Sequence, residues 1–198
     1  MFKIKLIFIT LAITVSATWA GDIEDADAAF KRKDYAAALV KYKSAVAKKE
    51  KTMYAQYQIG NFYAEGLGVK KNLIEAINWY KLSAEQGFTY AQFNLGGMYY
   101  RGEGIEKNVV QAVYWYKKAA AQGDELAQHS LGIMYAEGQG LVKDMTRAHM
   151  WLNLAAANGS ADSPISLKAV SNAMTSQQIA EAQKMARECQ ARKFKNCD

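Results

Sequence analysis

Three tryptophans, Trp79, Trp115 and Trp151, stand 36 residues apart, and much of the chain keeps the same step. The offset carries Gly60 to Gly96 and Gly132, Gly66 to Gly102 and Gly138, Gly68 to Gly104 and Gly140, and Gly87 to Gly123 and Gly159. Ala55, Gln56, Tyr63, Lys71, Ala76 and Ala84 recur in the same way, so eleven positions are identical in three consecutive units without an insertion or deletion. A fixed period of this length marks a repeat architecture, in which a unit buries its apolar face only by stacking on its neighbours.

Each unit reads as two helices. In the middle unit Ala91, Leu95, Met98 and Tyr99 keep helical spacing, and Ala112, Val113, Tyr116, Ala119 and Ala120 do so again. The Gly102-Glu103-Gly104-Ile105 segment between them is turn chemistry, since Gly takes positive φ without steric cost. Asn72, Asn108 and Asp144 are predicted to cap the second helix at its start, with Gly87, Gly123 and Gly159 just past its end. Gly60, Gly96 and Gly132 fall inside the first helix, where Gly costs about 1 kcal/mol relative to Ala. A Gly kept there three times predicts that a neighbouring helix comes too close for a Cβ. Trp79, Trp115 and Trp151 are expected to fill the space between adjacent units. The expected fold is all-α: a right-handed α-solenoid of stacked antiparallel helix pairs.

The run Ala91-Gln92-Phe93-Asn94-Leu95-Gly96-Gly97-Met98-Tyr99, then Gly102-Glu103-Gly104, then Ala112-Val113-Tyr114-Trp115-Tyr116-Lys117-Lys118-Ala119-Ala120-Ala121-Gln122-Gly123, closely resembles the Sel1-like repeat of the tetratricopeptide superfamily. The resemblance covers three units, at 54–89, 90–125 and 126–161. Residues 21–51 read as a degenerate tetratricopeptide-like pair, with Ala29-Phe30 on one helix and Asp34-Tyr35, Ala38-Leu39 and Tyr42 on the next. Residues 162–198 read as capping helices and a tail. There Ser163-Pro164 is expected as N-cap and first helical residue. Thr175-Ser176-Gln177-Gln178 is a capping box opening a last helix with Ile179, Ala182, Met185 and Cys189 on one face. The resemblance implies an adaptor that holds other proteins, and several bacterial members of the family are exported.

Export is also suggested by the start of the chain. Lys3 and Lys5 precede an uncharged apolar run from Leu6 to Ala17, and Thr18-Trp19-Ala20 offers small residues at both positions of a cleavage site. Residues 1–20 therefore read as a signal peptide cleaved near Ala20, with the mature protein periplasmic or secreted. In such a compartment Cys189 and Cys197, eight apart, are expected to form a disulfide that staples the tail. A net charge of +6 without a concentrated basic stripe disfavours a nucleic-acid partner. No stable membrane insertion and no oligomer are expected.

Catalysis is not expected either. Cysteine-rich relatives are linked to β-lactam binding or hydrolysis, but the serine form of that chemistry needs Ser with Lys three residues on, and no Ser here has it. Those relatives carry a Cys pair in each repeat, whereas these repeats contain none. His129 and His149 replace Tyr57 and Phe93, and Ile77 and Val113, at their repeat positions, which argues for packing rather than metal or proton chemistry. The Gly-x-Gly turns lack the residues of phosphate loops. No cofactor or metal is implied.

A partner surface is suggested by what the repeats do not keep. On the first helix of each unit, positions 57, 61, 64 and 65 and their equivalents vary freely, and together they form one helix face. This face comprises Tyr57, Asn61 and Glu65, then Phe93, Tyr100 and Arg101, then His129, Ile133 and Glu137. It would line the concave side of the stack. The rings at 57, 93 and 129 suit an extended peptide, with Arg101 between Glu65 and Glu137 setting register, unless those rings pack within the helix pairs instead. The expected function is an exported interaction adaptor. The alternatives are an envelope hydrolase or β-lactam-binding protein, and a secreted factor that binds host proteins.

Overall fold

Capping residues decide where these helices begin and end. The structure, a computed structural model, describes residues 21–197, and every regular element among them is a helix. Residues 1–20, where the sequence suggests a signal peptide, lie outside the described residues. The pairs are α1 (Asp22–Lys31) with α2 (Tyr35–Ala47), α3 (Thr52–Glu65) with α4 (Leu73–Glu85), α5 (Thr89–Arg101) with α6 (Val109–Ala120), and α7 (Glu125–Glu137) with α8 (Met145–Ala157). Helices α9 (Ser163–Ser171) and α10 (Ser176–Ala191) follow.

Asn72 accepts from the backbone N–H of Ile74 and Glu75, Asn108 from Gln111, and Asp144 from Arg147, satisfying donors that a helix start leaves unpaired. At the other end of each first helix, Gly66, Gly102 and Gly138 adopt left-handed φ of 77°, 72° and 74° and turn the chain towards its partner helix. Gly87 and Gly159 directly follow the C-cap residues of α4 and α8, whereas Gly123 comes one residue later, because α6 ends at Ala120 and is capped by Ala121.

The pairs stack in chain order into an all-α solenoid. Trp79 packs on the core of α1 to α3, Trp115 (6% exposed) lies in the core that α4 and α5 share, and Trp151 (2% exposed) sits in the last core beside residues of α6 and α7. Each indole thus meets the preceding unit. The close approach at the in-helix glycines comes from the second helix of the same unit. A Cβ on Gly60 would fall 2.6 Å from the Tyr80 ring, on Gly96 2.9 Å from the Tyr116 ring, and on Gly132 2.6 Å from Leu152.

A ladder of amides ties the units together. Buried Gln92 donates to the Ala84 carbonyl of the preceding unit, and Gln128 does the same to Ala120. Their side-chain oxygens accept from Gln122 and Asn158, which also reach back to the Gly87 and Gly123 carbonyls. A buried amide is tolerated only when satisfied in this way, which gives the recurring Gln a structural reason.

The C-terminal end is closed by α9 and α10 against α8. Thr175 and Gln178 form the expected capping box, and Ala182, Ala186 and Cys189 are the buried residues of α10. Ser163 is not the N-cap of α9, contrary to the reading of Ser163-Pro164. Asp162 holds that position, and Pro164 lies inside the first turn. Cys189 and Cys197 are joined in a disulfide, and the tail lays Phe194 over Gly123.

Candidate functional site

The first helices carry two hollows on one face. The larger, about 410 Å³, is lined by Ala64, Lys71, Leu73, Tyr80, Phe93, Asn94, Gly97, Met98, Arg101 and Glu103. The smaller, about 170 Å³, is lined by Tyr100, Tyr116, His129, Ser130, Ile133 and Met134. Each of those six residues lies 36 beyond a residue of the first hollow, from Ala64 to Tyr100 and from Met98 to Met134. The hollows are one feature repeated. They differ in size because Ala64 and Gly97 leave open what Tyr100 and Ile133 fill.

Several residues expected at a partner face lie here, and their contacts differ from the reading of the sequence. Phe93 is half-buried and stacks on Tyr116 at 5.6 Å between centroids. Tyr57 belongs to an aromatic cluster with Tyr80, Phe88 and Tyr90, at 5.9, 5.1 and 6.1 Å. Asn61 accepts a 2.7 Å hydrogen bond from the Tyr80 hydroxyl. His129 sits 2.8 Å by its Nδ1 from Ser163, whose hydroxyl donates to Ser160, so the Ser163 oxygen is left to accept from the ring N–H. Burial pushes the His129 pKa down, against the pull of Asp162. The rings therefore pack within and between units while keeping part of their surface exposed.

Arg101 has a carboxylate partner within its own unit. Its Nε and Nη2 pair with the two carboxylate oxygens of Glu103 at 2.8 and 2.9 Å, because the left-handed turn at Gly102 brings Glu103 back beside the helix. The hydrogen bonds from Arg101 hold the Glu103 carboxyl below its usual range, and Lys71 adds to the effect. Glu137 instead accepts from Gln139, which in turn accepts from the Tyr100 hydroxyl at 2.8 Å. Glu65 is exposed at the end of α3.

Tyr80, Tyr116, Asn94 and Gly97 line the hollows, and sequence reasoning passed them over. Tyr80 and Tyr116 occupy equivalent positions, with Leu152 at that place in the third unit, so this near-identity concealed a position that matters. Gly97 occupies one of the freely varying positions, where a lone Gly among Asn61 and Ile133 was the available signal.

The Sel1 repeat pattern matches residues 54–88, 89–124 and 126–160. The chain belongs to the Sel1 repeat family. Its likeness to solved structures agrees with that membership. A Sel1 repeat protein from Oxalobacter formigenes shares 34% identity over 84% of this chain and 75% of its own, with a TM-score of 0.72. The protective antigen c5321 of uropathogenic Escherichia coli, which has the same repeat fold, shares 28% identity over 83% of this chain, with a TM-score of 0.69. This Sel1 repeat chain spans 35% of that antigen's length. Among curated proteins none matches it significantly. Sel1 repeat proteins are generally scaffolds for protein–protein interaction. Among the described residues no helix is long and apolar enough to cross a membrane, and no group of three His, Cys, Asp or Glu could hold a metal ion.

Proposed function

We propose that this protein is an exported adaptor whose first-helix face, as the concave side of the stack, holds an extended segment of a partner protein. The observation that carries the reading is the pair of register-equivalent hollows, lined in part by the helix positions that vary most between otherwise uniform units. Uniform positions keep the stack together, and varied ones beside an open hollow are free to be selected for a partner. Half-exposed rings beside Arg101 supply the residue types that anchor interfaces. Export is supported by the Cys189–Cys197 disulfide, which suits an oxidising compartment, and by likeness to a protective antigen.

The test is site-specific photocrosslinking in the native envelope. A photoreactive phenylalanine analogue at position 93 or 133 is expected to trap one discrete partner. The same analogue at Val110, exposed on the second helix of the middle unit, is expected to trap none. Partner capture from Val110 and not from 93 or 133 refutes the assignment of the face. The intact mass of the periplasmic protein should lack residues 1–20.

A further inference from the structure

Gly97 breaks a local rule that Gly96 does not. Both lie in the interior of α5, where Gly costs stability relative to Ala. Gly96 has a packing reason, the Tyr116 ring. The atoms nearest to a Cβ on Gly97 would all belong to the guanidinium of Arg101, at 3.0, 3.3 and 3.5 Å. Those atoms are the tip of a side chain on the same helix, so the missing side chain of Gly97 makes room for Arg101 to fold back along α5. Among the three units, this one alone combines the two changes. The first and third place Asn61 and Ile133 at the Gly97 position, and Glu65 and Glu137 at the Arg101 position. A departure from local preference without a packing reason points to function.

We propose that the hollow over Gly97 receives the carboxylate of a glutamate side chain on the partner's extended segment, with Arg101 as its ligand. The inference rests on the adaptor reading and names the chemistry of its partner. Glu103 holds the guanidinium through Nε and Nη2 and leaves Nη1, the atom nearest Gly97, directed over the hollow. An arginine fixed by one carboxylate is pre-organised to bind a second one. Lys71, Arg101 and Glu103 are the charged residues lining the hollow and leave it net positive by one. Phe93 and Met98 supply apolar wall for a methylene stem. The face continues into the Tyr100–Ile133 hollow and towards Tyr57, so a chain passes through the site rather than ending in it. This favours a side-chain carboxylate over a chain terminus, and the next hollow takes an apolar side chain.

The test uses the full mature protein, with the Arg101 Nε–H and Gly97 N–H followed by NMR. The probes are acetyl-Leu-Ala-Glu-Leu-Ala-amide, its Gln analogue, and the Gln analogue with a free C-terminal carboxylate. The Glu peptide is expected to shift both signals and bind about tenfold more tightly than the Gln amide. Added salt and Arg101→Met should each remove the difference. Arg101→Met leaves the core untouched, and an unchanged melting temperature confirms it as a folded control. Equal binding of the Glu and Gln amides across this face overturns the carboxylate site while leaving the adaptor face standing. Tightest binding by the free-carboxylate Gln peptide overturns the side-chain assignment, as does the absence of any shift at millimolar peptide. Failure of the adaptor reading appears separately, as crosslinks from Val110 and not from the first helices.

Discussion

Gly96→Ala and Gly97→Ala are adjacent and chemically identical, yet their effects on stability should have opposite signs. Each gains about 1 kcal/mol of helix preference by replacing Gly in a helix interior. At residue 96 the new methyl falls 2.9 Å from two atoms of the Tyr116 ring, which is 5% exposed and stacked on Phe93. Overpacking of that kind costs about 1–3 kcal/mol, and a wedged aromatic ring has little freedom to yield, so the upper part of the range applies. The net effect is a loss of about 1–2 kcal/mol, or about 2–8 °C in melting temperature for a chain of this size. At residue 97 the methyl's nearest contact is the tip of Arg101, whose side chain is 54% exposed and can swing away. There the propensity gain survives, and the protein should melt about 1–4 °C higher. Thermal melts followed by circular dichroism, run side by side, read the difference. In a Tyr116→Ala background Gly96→Ala should lose its penalty, because the ring that objects is gone. Melting of Gly96→Ala at or above wild type, or of Gly97→Ala below it, refutes the reasoning.

Trp115→Ala removes a buried indole between two units and should cost about 3–5 kcal/mol, measured by urea unfolding; the half-buried Trp79 should cost less. Reduction of Cys189–Cys197 should lower stability by about 2.5 kcal/mol from loop entropy, read as an earlier melt in dithiothreitol, with Phe194 leaving Gly123. His149 is 3% exposed, its Nδ1 is a buried atom without a hydrogen-bond partner, and burial lowers its pKa below the ordinary 6.5. The unfolded chain then takes up the proton first. Its contribution is therefore complete above about pH 6.5 and shrinks as pH falls towards the folded-state value, His129 acting in the same sense. His149→Ile, matching Ile77 of the first unit, should raise stability by about 1 kcal/mol and flatten the fall of melting temperature from about pH 7 to about pH 5.

The repeat made most of the fold legible, because caps, glycine turns and interior glycines act locally and recur. Asn72, Asn108 and Asp144 cap where their side chains can reach only the next turn. What escaped depends on contacts the chain makes elsewhere. Ser163 has the local chemistry of an N-cap, but His129 and Ser160 compete for its hydroxyl. The varied face could be read to include Arg101, but its pairing with Glu103 depends on the turn at Gly102. The recurrence of Gln56, Gln92 and Gln128 was visible, whereas the carbonyls that Gln92 and Gln128 meet lie across a unit boundary. Gly97 was readable only as a departure among varied positions, and its meaning required the guanidinium above it.

The amide ladder gives the stack a direction. Gln92 and Gln128 donate to carbonyls that come earlier in the chain, as do Gln122 and Asn158. A ribosome delivers the chain in that same order, so each unit emerges beside acceptors that already exist. Removing whole units from the C-terminal side strands none of these amides. Removing a unit from the other side takes away the carbonyl that the next glutamine donates to. Growth by adding units is therefore easier at the C-terminal end, just inside α9 and α10, than at the beginning.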